Sequence, residues 1–165
     1  LRERGFDALV VDLRSVTPAD DLLIEDLGQM RGGFICRAGH PLTKFNTPIT
    51  FAHLQRYPLA STSLNPELAR LLITRYGPAA DPQVAVTLRC NDINSLLHAV
   101  HGSDAVFLGL ISPAREAIAN GSLVELPITP ALNEGARFAF VTLADRTEAP
   151  AMGIFRQFVA EHLHD

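Results

Sequence analysis

The sequence predicts an α/β fold, because short apolar runs typical of strands alternate with segments that have a helical pattern and recognisable ends. The chain has 165 residues, of which 47% are hydrophobic, and this is enough to bury a sizeable core in one domain or in two small lobes. Helices that follow strands in this way indicate a largely parallel sheet with right-handed crossovers.

Several short runs have the composition of buried strands, since they are apolar, rich in β-branched or aromatic residues, and brief. The last run in the chain carries large apolar side chains on both faces, which is typical of a strand that is covered on both sides. The predicted strands are residues 7–11, 34–36, 84–88, 105–108 and 137–143.

The helical segments have start and stop signals. Asn65 can cap a helix over residues 66–76, since a proline suits the first helical position and a Gly-Pro pair follows the segment. A second helix starts at Asn91 or Asp92 and ends at Gly102. The other predicted helices cover residues 113–119 and about 151–163.

The charge balance argues against direct binding to nucleic acid. The chain has 14 basic and 18 acidic side chains, which leaves a net charge of −4, whereas affinity for DNA comes mainly from clustered basic residues. The longest apolar stretch, residues 105–111, is far shorter than the roughly 20 residues that span a bilayer. The first residues have no initiator Met and do not resemble a secretory signal, so we expect no membrane segment.

The cysteine and histidine residues indicate neither a disulfide framework nor a metal site. Cys36 and Cys90 match no CxxC or zinc spacing, and this usage fits a reducing cytoplasm. His98 and His101 lie one helical turn apart, but no third ligand stands at a suitable spacing. The sequence also contains no GxSxG, GxxxxGK or GxGxxG motif, so we expect no cofactor and no catalysis.

An ordered set of short motifs resembles the effector-binding domain of LysR-type transcription regulators. Each motif is weak alone, but the set covers nearly the whole chain in the order of the family. The chain carries Gly5-Phe6-Asp7-Ala8-Leu9-Val10, His40-Pro41-Leu42, Phe51-Ala52-His53-Leu54, Tyr57-Pro58-Leu59, Leu96-Leu97-His98-Ala99-Val100-His101-Gly102, Ala105-Val106-Phe107-Leu108 and Asn120-Gly121-Ser122-Leu123-Val124-Glu125-Leu126-Pro127.

The resemblance implies two Rossmann-like lobes in the type II arrangement of periplasmic binding proteins, with a ligand held between them. Residues 1–50 plus 130–165 would form lobe I, and residues 51–129 would form lobe II. The first lobe would be incomplete, since its opening strand, helix and next strand precede Leu1 in such domains. The helix-turn-helix that binds DNA would likewise lie outside this sequence.

Ligands of open α/β sheets bind beyond the carboxyl ends of strands, where helix N-termini present free N–H groups. Ser61, Thr62 and Ser63 follow a strand and precede a helix, so their hydroxyls can bind a ligand carboxylate beside a favourable helix dipole. The alternative is that Ser63 or Asn65 only caps that helix.

A second candidate segment is Cys90-Asn91-Asp92, which by resemblance faces the same cleft. Asn91 can donate and accept hydrogen bonds, whereas Asp92 is better suited to capping because it would repel an anion. Cys90 beside a helix N-terminus could sense oxidants, but a small buried thiol is the commoner role for a free cysteine.

The remaining candidate residues come from both proposed lobes. Val11, Asp12 and Leu13 match a cleft-facing position of the family. Phe107, Gly109 and Leu110 would close the opposite side and favour an apolar or aromatic ligand body, unless Phe107 and Leu110 belong only to the core. Arg89 and Arg137 are possible partners for an anion, although a surface salt bridge is the commoner role.

Taken together, the residues and the resemblance lead us to expect a cytoplasmic module that senses a small-molecule effector, most simply a carboxylate. The resemblance also implies assembly as a homodimer or homotetramer. DNA would be bound only through the domain outside this sequence. One alternative is a free two-lobed solute-binding protein of the transport type, and another is a module that serves only for oligomerisation.

Overall fold

The computed structural model describes residues 6–144 and 150–162 of the chain. In this part of the chain, strands and helices alternate as the sequence predicts. The strands are β1 Leu9–Asp12, β2 Leu22–Arg37, β3 Leu59–Ser61, β4 Val86–Arg89, β5 Val106–Leu110, β6 Leu123–Glu125 and β7 Gly135–Leu143. The α-helices are α1 Phe51–Leu54, α2 Pro66–Tyr76, α3 Pro82–Ala85, α4 Ile93–His101, α5 Arg115–Ala119 and α6 Pro150–His162.

The chain divides into two compact units at Arg31/Gly32 and at Glu134/Gly135. The sequence-based assignment placed these boundaries near residues 50 and 130 instead, so residues 32–50 and 130–134 belong to the second unit and not with lobe I. The reason is that the chain enters the second unit within the continuous strand β2, so that no loop marks the boundary. The turn-rich stretch at residues 43–48 lies inside the second unit.

The first unit contains an antiparallel sheet of β1, β7 and the first part of β2. Helix α6 covers part of it, since the buried Phe140 ring of β7 contacts the Phe155 ring at 5.8 Å between centroids. The guanidinium of Arg156 lies 5.0 Å from the centre of the same ring and forms an ion pair with Glu25. The predicted last helix therefore exists, and its predicted end, Leu163, lies outside the described residues.

The second unit contains a mixed sheet in the order β6-β2-β5-β3-β4. Strand β3 runs parallel to β4 and β5, whereas β2 runs antiparallel to β5 and β6. The expectation of a largely parallel sheet is therefore wrong. Strand β2 enters the unit without a helical crossover, and only such crossovers impose a parallel direction on successive strands.

The core of the second unit lies on both faces of its sheet. In β2, Phe34 and Cys36 belong to one buried cluster, whereas Ile35 belongs to the other. Strand β5 alternates in the same way, with Val106 and Leu108 on one side and Phe107 on the opposite side. Helix α2 packs against the first cluster, and α4 contributes buried side chains to the second. The period of two residues therefore separates two apolar layers on one sheet.

Local sequence signals predict some helix ends correctly, but they fail where contacts between distant residues determine the secondary structure. Helix α2 has the predicted bounds, and the side chain of Asn65 accepts the N–H of Leu68 at 2.8 Å. The predicted strand over residues 84–88 is in fact the end of α3 followed by β4, because Asp81 caps a short helix that begins with Pro82. The predicted helix over residues 113–119 begins with a 3-10 turn, and α5 follows it.

The first half of β2 was not predicted, because a bulge interrupts its alternation of apolar and polar residues. The pairing with β7 shifts between Asp26 and Gly28. Gly28 has a φ of 112°, which glycine adopts without strain, and its N–H donates to Asp26 Oδ1 at 3.0 Å. An irregular strand of this kind shows no clean period of two in the sequence.

Candidate functional site

Polar side chains of two loops meet at one edge of the sheet in the second unit. Because β3 and β4 are parallel, the residues that follow them leave the sheet at the same edge. The Ser63 hydroxyl donates to Asn91 Oδ1 at 3.2 Å, and this bond joins the two loops. We call the group Thr62, Ser63, Asn91 and Asp92 the polar edge.

The hydroxyl of Ser63 does not cap α2, which was the alternative considered from the sequence. Asn65, and not Ser63, caps α2. The Ser63 hydroxyl instead contacts a side chain that comes from the next strand, and both side chains are exposed. Ser63 and Asn91 can therefore meet a molecule from solvent while they orient each other.

Asp92 acts as the cap of α4. Its carboxylate accepts the backbone N–H groups of Asn94 and Ser95 at 3.3 Å each, and also the Ser95 hydroxyl. The hydroxyl of Ser95 holds the pKa of Asp92 below its ordinary value, and the two backbone N–H groups lower it further. The carboxylate is thus charged at neutral pH and is used within its own helix, as expected for Asp92.

The two cysteines have different surroundings. Cys36 lies in the core, and burial raises the pKa of its thiol to about 12. Cys90 is only partly buried, and its sulfur accepts the N–H of Asp92 at 3.4 Å. The commoner role expected for Cys90, that of a small buried thiol, describes it only in part, because Cys90 packs against the second core cluster but is only partly buried beside the polar edge.

Two predicted site residues lie in the core. Ser61 is fully buried, and its hydroxyl donates to the carbonyl oxygen of Leu108 at 2.8 Å. Phe107 is 1% exposed and packs with Leu96 and Val100 of α4. The expectation that these side chains contact a ligand is corrected, because the alternation of the strands turns both of them inward.

Gly109 and Leu110, at the end of β5, are half-buried, and the ring of Phe107 lies against Gly109. The residues Val11, Asp12 and Leu13 belong to the first unit and are half-buried there. Asp12 accepts the N–H of Arg14 at 3.0 Å and forms an ion pair with its guanidinium at 2.8 Å.

A polar pocket of about 130 Å³ lies next to the polar edge, within the second unit. Arg89 of β4 lines it, and its guanidinium donates to the Pro82 carbonyl oxygen at 2.5 Å and to Gln83 Oε1 at 3.2 Å. The other lining residues are Thr62, Ser63, Leu64, Ala69, Asp81, Pro82, Gln83 and Val86.

Sequence reasoning named Arg89 but missed Asp81 and Gln83. Both belong to the start of α3, a region that had been assigned partly to a strand. The signal was present, since Asp followed by Pro is a common start of a helix. The other arginine named from the sequence, Arg137, forms an ion pair with Asp26 on the first unit. The backbone N–H of Gly28 and, after it, Arg137 lower the pKa of Asp26.

A larger pocket of about 190 Å³ in the second unit is apolar, with Phe51, Leu54 and Tyr57 in its wall, and no charged side chain lines it. Within the described residues, no group of three or more His, Cys, Asp or Glu side chains could hold a metal ion. None of the helices in that part of the chain has the length and apolar character required to cross a membrane.

Comparison with known protein families identifies one family. The LysR substrate binding domain family matches residues 1–164 of the chain. No curated protein matches the chain.

Three solved structures illustrate the likeness of fold. The regulatory domain of CrgA, a LysR-type transcriptional regulator from Neisseria meningitidis, is 17% identical with a TM-score of 0.73, over 99% of this chain and 78% of that chain. HinK, a LysR family transcriptional regulator from Pseudomonas aeruginosa, is 15% identical with a TM-score of 0.70, over 99% of this chain and 55% of that chain.

The effector binding domain of QuiR, solved in complex with shikimate, is 16% identical with a TM-score of 0.66, over 98% of this chain and 73% of that chain. At these identities the likeness shows the fold alone. The chain spans 55% of the length of HinK, about half of that regulator.

Proposed function

Because the chain belongs to the LysR substrate binding domain family, we propose that it senses a small-molecule effector that carries a carboxylate and binds at the polar edge. The observation that carries the proposal is the hydrogen bond between Ser63 and Asn91, which brings donors from two loops together beside a pocket that contains Arg89. The family favours a regulator over a transport-type solute-binding protein.

A carboxylate suits the donors at this edge. The Thr62 hydroxyl and the Asn91 amide N–H groups can donate to its oxygens, since the Ser63 hydroxyl already donates to Asn91 Oδ1 and orients that amide. A guanidinium forms charge-assisted hydrogen bonds that are roughly twice as strong as neutral ones. Helix α2 begins shortly after Thr62 and Ser63, and its N-terminus favours a negative charge nearby. The related domain of QuiR was solved with shikimate, which is itself a carboxylate.

We infer a binding role and not a catalytic one. The polar edge contains hydroxyl, amide and carboxylate groups, but the Ser63 hydroxyl donates to an amide oxygen and not to a general base. The effector would act by binding more tightly to one arrangement of the regulator than to another, which shifts the balance between them.

We further propose that the regulator works as a homodimer or homotetramer in the cytoplasm and contacts DNA through a helix-turn-helix domain outside this sequence. The net charge of −4 supports a separate DNA-binding domain. The first unit exposes large apolar side chains, among them Leu23 at 55% and Phe155 at 44%, and such side chains are typical of surfaces that other parts of an assembly cover.

The test is calorimetric titration of the chain with a panel of small carboxylates. We expect at least one to bind, and we expect Ser63→Ala and Asn91→Ala to weaken its binding about tenfold each, which corresponds to roughly 1.4 kcal/mol. Ser103→Ala is the matched control, since this exposed hydroxyl lies outside the polar edge, donates to the carbonyl oxygen of Ala99 and accepts the N–H of Ala105.

The proposal is wrong if both variants at the polar edge bind the carboxylate as tightly as the unchanged chain. A domain that serves only for assembly would show association that depends on concentration and no heat with any carboxylate. Sedimentation velocity on the same samples separates that outcome from effector binding.

A further inference from the structure

The polar pocket contains two opposite charges that do not pair with each other. Asp81 and Arg89 both line this space of about 130 Å³. Neither residue takes part in an ion pair in the part of the chain that the structure describes, although four other arginines do so there. A small cavity lined by a negative and a positive side chain attracts a molecule that carries both a positive and a negative group.

The same short helix holds both charged groups in place. Asp81 Oδ1 accepts the N–H of Gln83 at 2.9 Å, which leaves its second carboxylate oxygen available. Arg89 donates two of the five N–H groups of a guanidinium, one to Pro82 and one to Gln83. Because α3 fixes both side chains, a ligand would lose less free energy in ordering them.

The rest of the lining limits the size and the polarity of an occupant. The Thr62 hydroxyl supplies a neutral donor, and Leu64, Ala69 and Val86 supply a small apolar wall. The pocket has a volume of about 130 Å³. The pocket therefore suits a small molecule with a short apolar group.

We propose that the pocket binds a small zwitterion of the α-amino-acid type. Its carboxylate would contact Arg89 and the Thr62 hydroxyl, its ammonium group would contact Asp81, and its short side chain would lie against Ala69 and Val86. This inference rests on the proposed function, since it uses the same carboxylate partners, and adds a requirement for a positive charge on the effector.

The test compares three probes with the same three-carbon skeleton: L-alanine carries both charges, propionate lacks the ammonium group, and L-alaninamide has a neutral amide in place of the carboxylate. Calorimetric titration of the unchanged chain should give L-alanine an affinity at least tenfold higher than that of either analogue. Asp81→Asn should lower the affinity for L-alanine to that for propionate and leave propionate unaffected. Arg89→Gln should weaken both carboxylates and leave L-alaninamide unaffected.

The variants are chosen so that the fold is kept. Asn caps helices about as well as Asp, so Asp81→Asn preserves the start of α3. Glu116→Gln and Arg70→Gln are the matched controls, because both residues are exposed on helices and do not line the pocket. Circular dichroism of each variant checks that its helix content is unchanged.

The outcomes separate the two proposals. If propionate binds as tightly as L-alanine and Asp81→Asn has no effect, while Ser63→Ala and Arg89→Gln still weaken binding, the zwitterion proposal is overturned and the carboxylate site stands. If no carboxylate binds, both proposals fail. If L-alanine binds but responds equally to Arg70→Gln and Arg89→Gln, its site lies elsewhere and the assignment to this pocket is overturned.

Discussion

Substitution of Gly109 by alanine tests whether Phe107 is held in the core or can leave it. A Cβ at position 109 would lie 2.6 Å from Cε1 of the Phe107 ring and would also overlap Cζ. The backbone is held on both sides, because Gly109 pairs with Gly33 of β2 and the preceding residue pairs with Ser61 of β3. The strain therefore falls on the ring.

The magnitude follows from the packing around the ring. Phe107 is 1% exposed, and interiors are packed too densely for a ring to move without displacing its neighbours. Overpacking of this kind costs about 1–3 kcal/mol. At a site with room for the methyl group, replacing glycine with alanine stabilises a protein by about 0.4–1 kcal/mol, because alanine reduces the conformational entropy of the unfolded chain. We expect Gly109→Ala to lower the free energy of unfolding by about 1–2 kcal/mol.

A double-mutant cycle in urea denaturation measures the effect. Phe107→Leu removes the ring atoms that overlap, so the cost of Gly109→Ala should fall by about 1 kcal/mol or more in that background. Gly102→Ala is the matched control, since its Cβ would meet only the carbonyl oxygen of His98 at an ordinary 3.7 Å. If Gly109→Ala is neutral, or if the two changes are additive, the ring has room to move and its assignment to the core is refuted.

Three further predictions concern single side chains. A chromogenic thiol reagent at pH 8 should label Cys90 quickly and Cys36 only after unfolding, because Cys36 is buried and its thiol pKa is about 12; Cys90→Ser should remove the fast phase. Asp92→Ala should destabilise the protein at neutral pH, and the difference should vanish on acidification. The direction of this effect follows from the lowered pKa of Asp92 in the folded protein. The charged carboxylate stabilises the fold above the ordinary Asp pKa, and this stabilisation is lost as the pH falls through the folded-state pKa. A constant difference in urea denaturation at pH 7 and pH 3 would contradict it. His40→Ala should cost roughly 2–4 kcal/mol, because the buried ring accepts the N–H of Leu42, contacts the Asp104 carbonyl oxygen and packs on Tyr57; a loss below 1 kcal/mol would show that these contacts contribute little.

The helices with clear caps could be predicted because their signals lie within a few residues of one another. Asn65 and the proline after it define the start of α2, and Gly77 follows its end. The cap of α4 at Asp92 was predicted on the same grounds. The proximity of the loops after β3 and β4 was also expected, since parallel neighbouring strands end at one edge.

The missed features depend on partners far away in the sequence. The first half of β2 is a strand because β7 pairs with it, across a separation of more than a hundred residues. Ser61 is buried because β3 lies between β4 and β5, and the carbonyl oxygen of Leu108 accepts its hydroxyl. No property of Ser61 itself indicates that contact. The pocket also depends on segments that are distant in the sequence, since Thr62 and Ser63 after β3 line it together with Asp81 and Arg89.

The amino-acid order alone was thus sufficient for the α/β class, the family, the best-capped helices and one polar edge of the sheet. Strand directions, the boundary between the two units, the inward orientation of Phe107 and the joining of Asp81 with Arg89 emerge only when the chain is folded. Capping and periodicity are encoded within one or two turns of chain, whereas strand pairing and burial are set by the combined packing of segments that are distant in sequence.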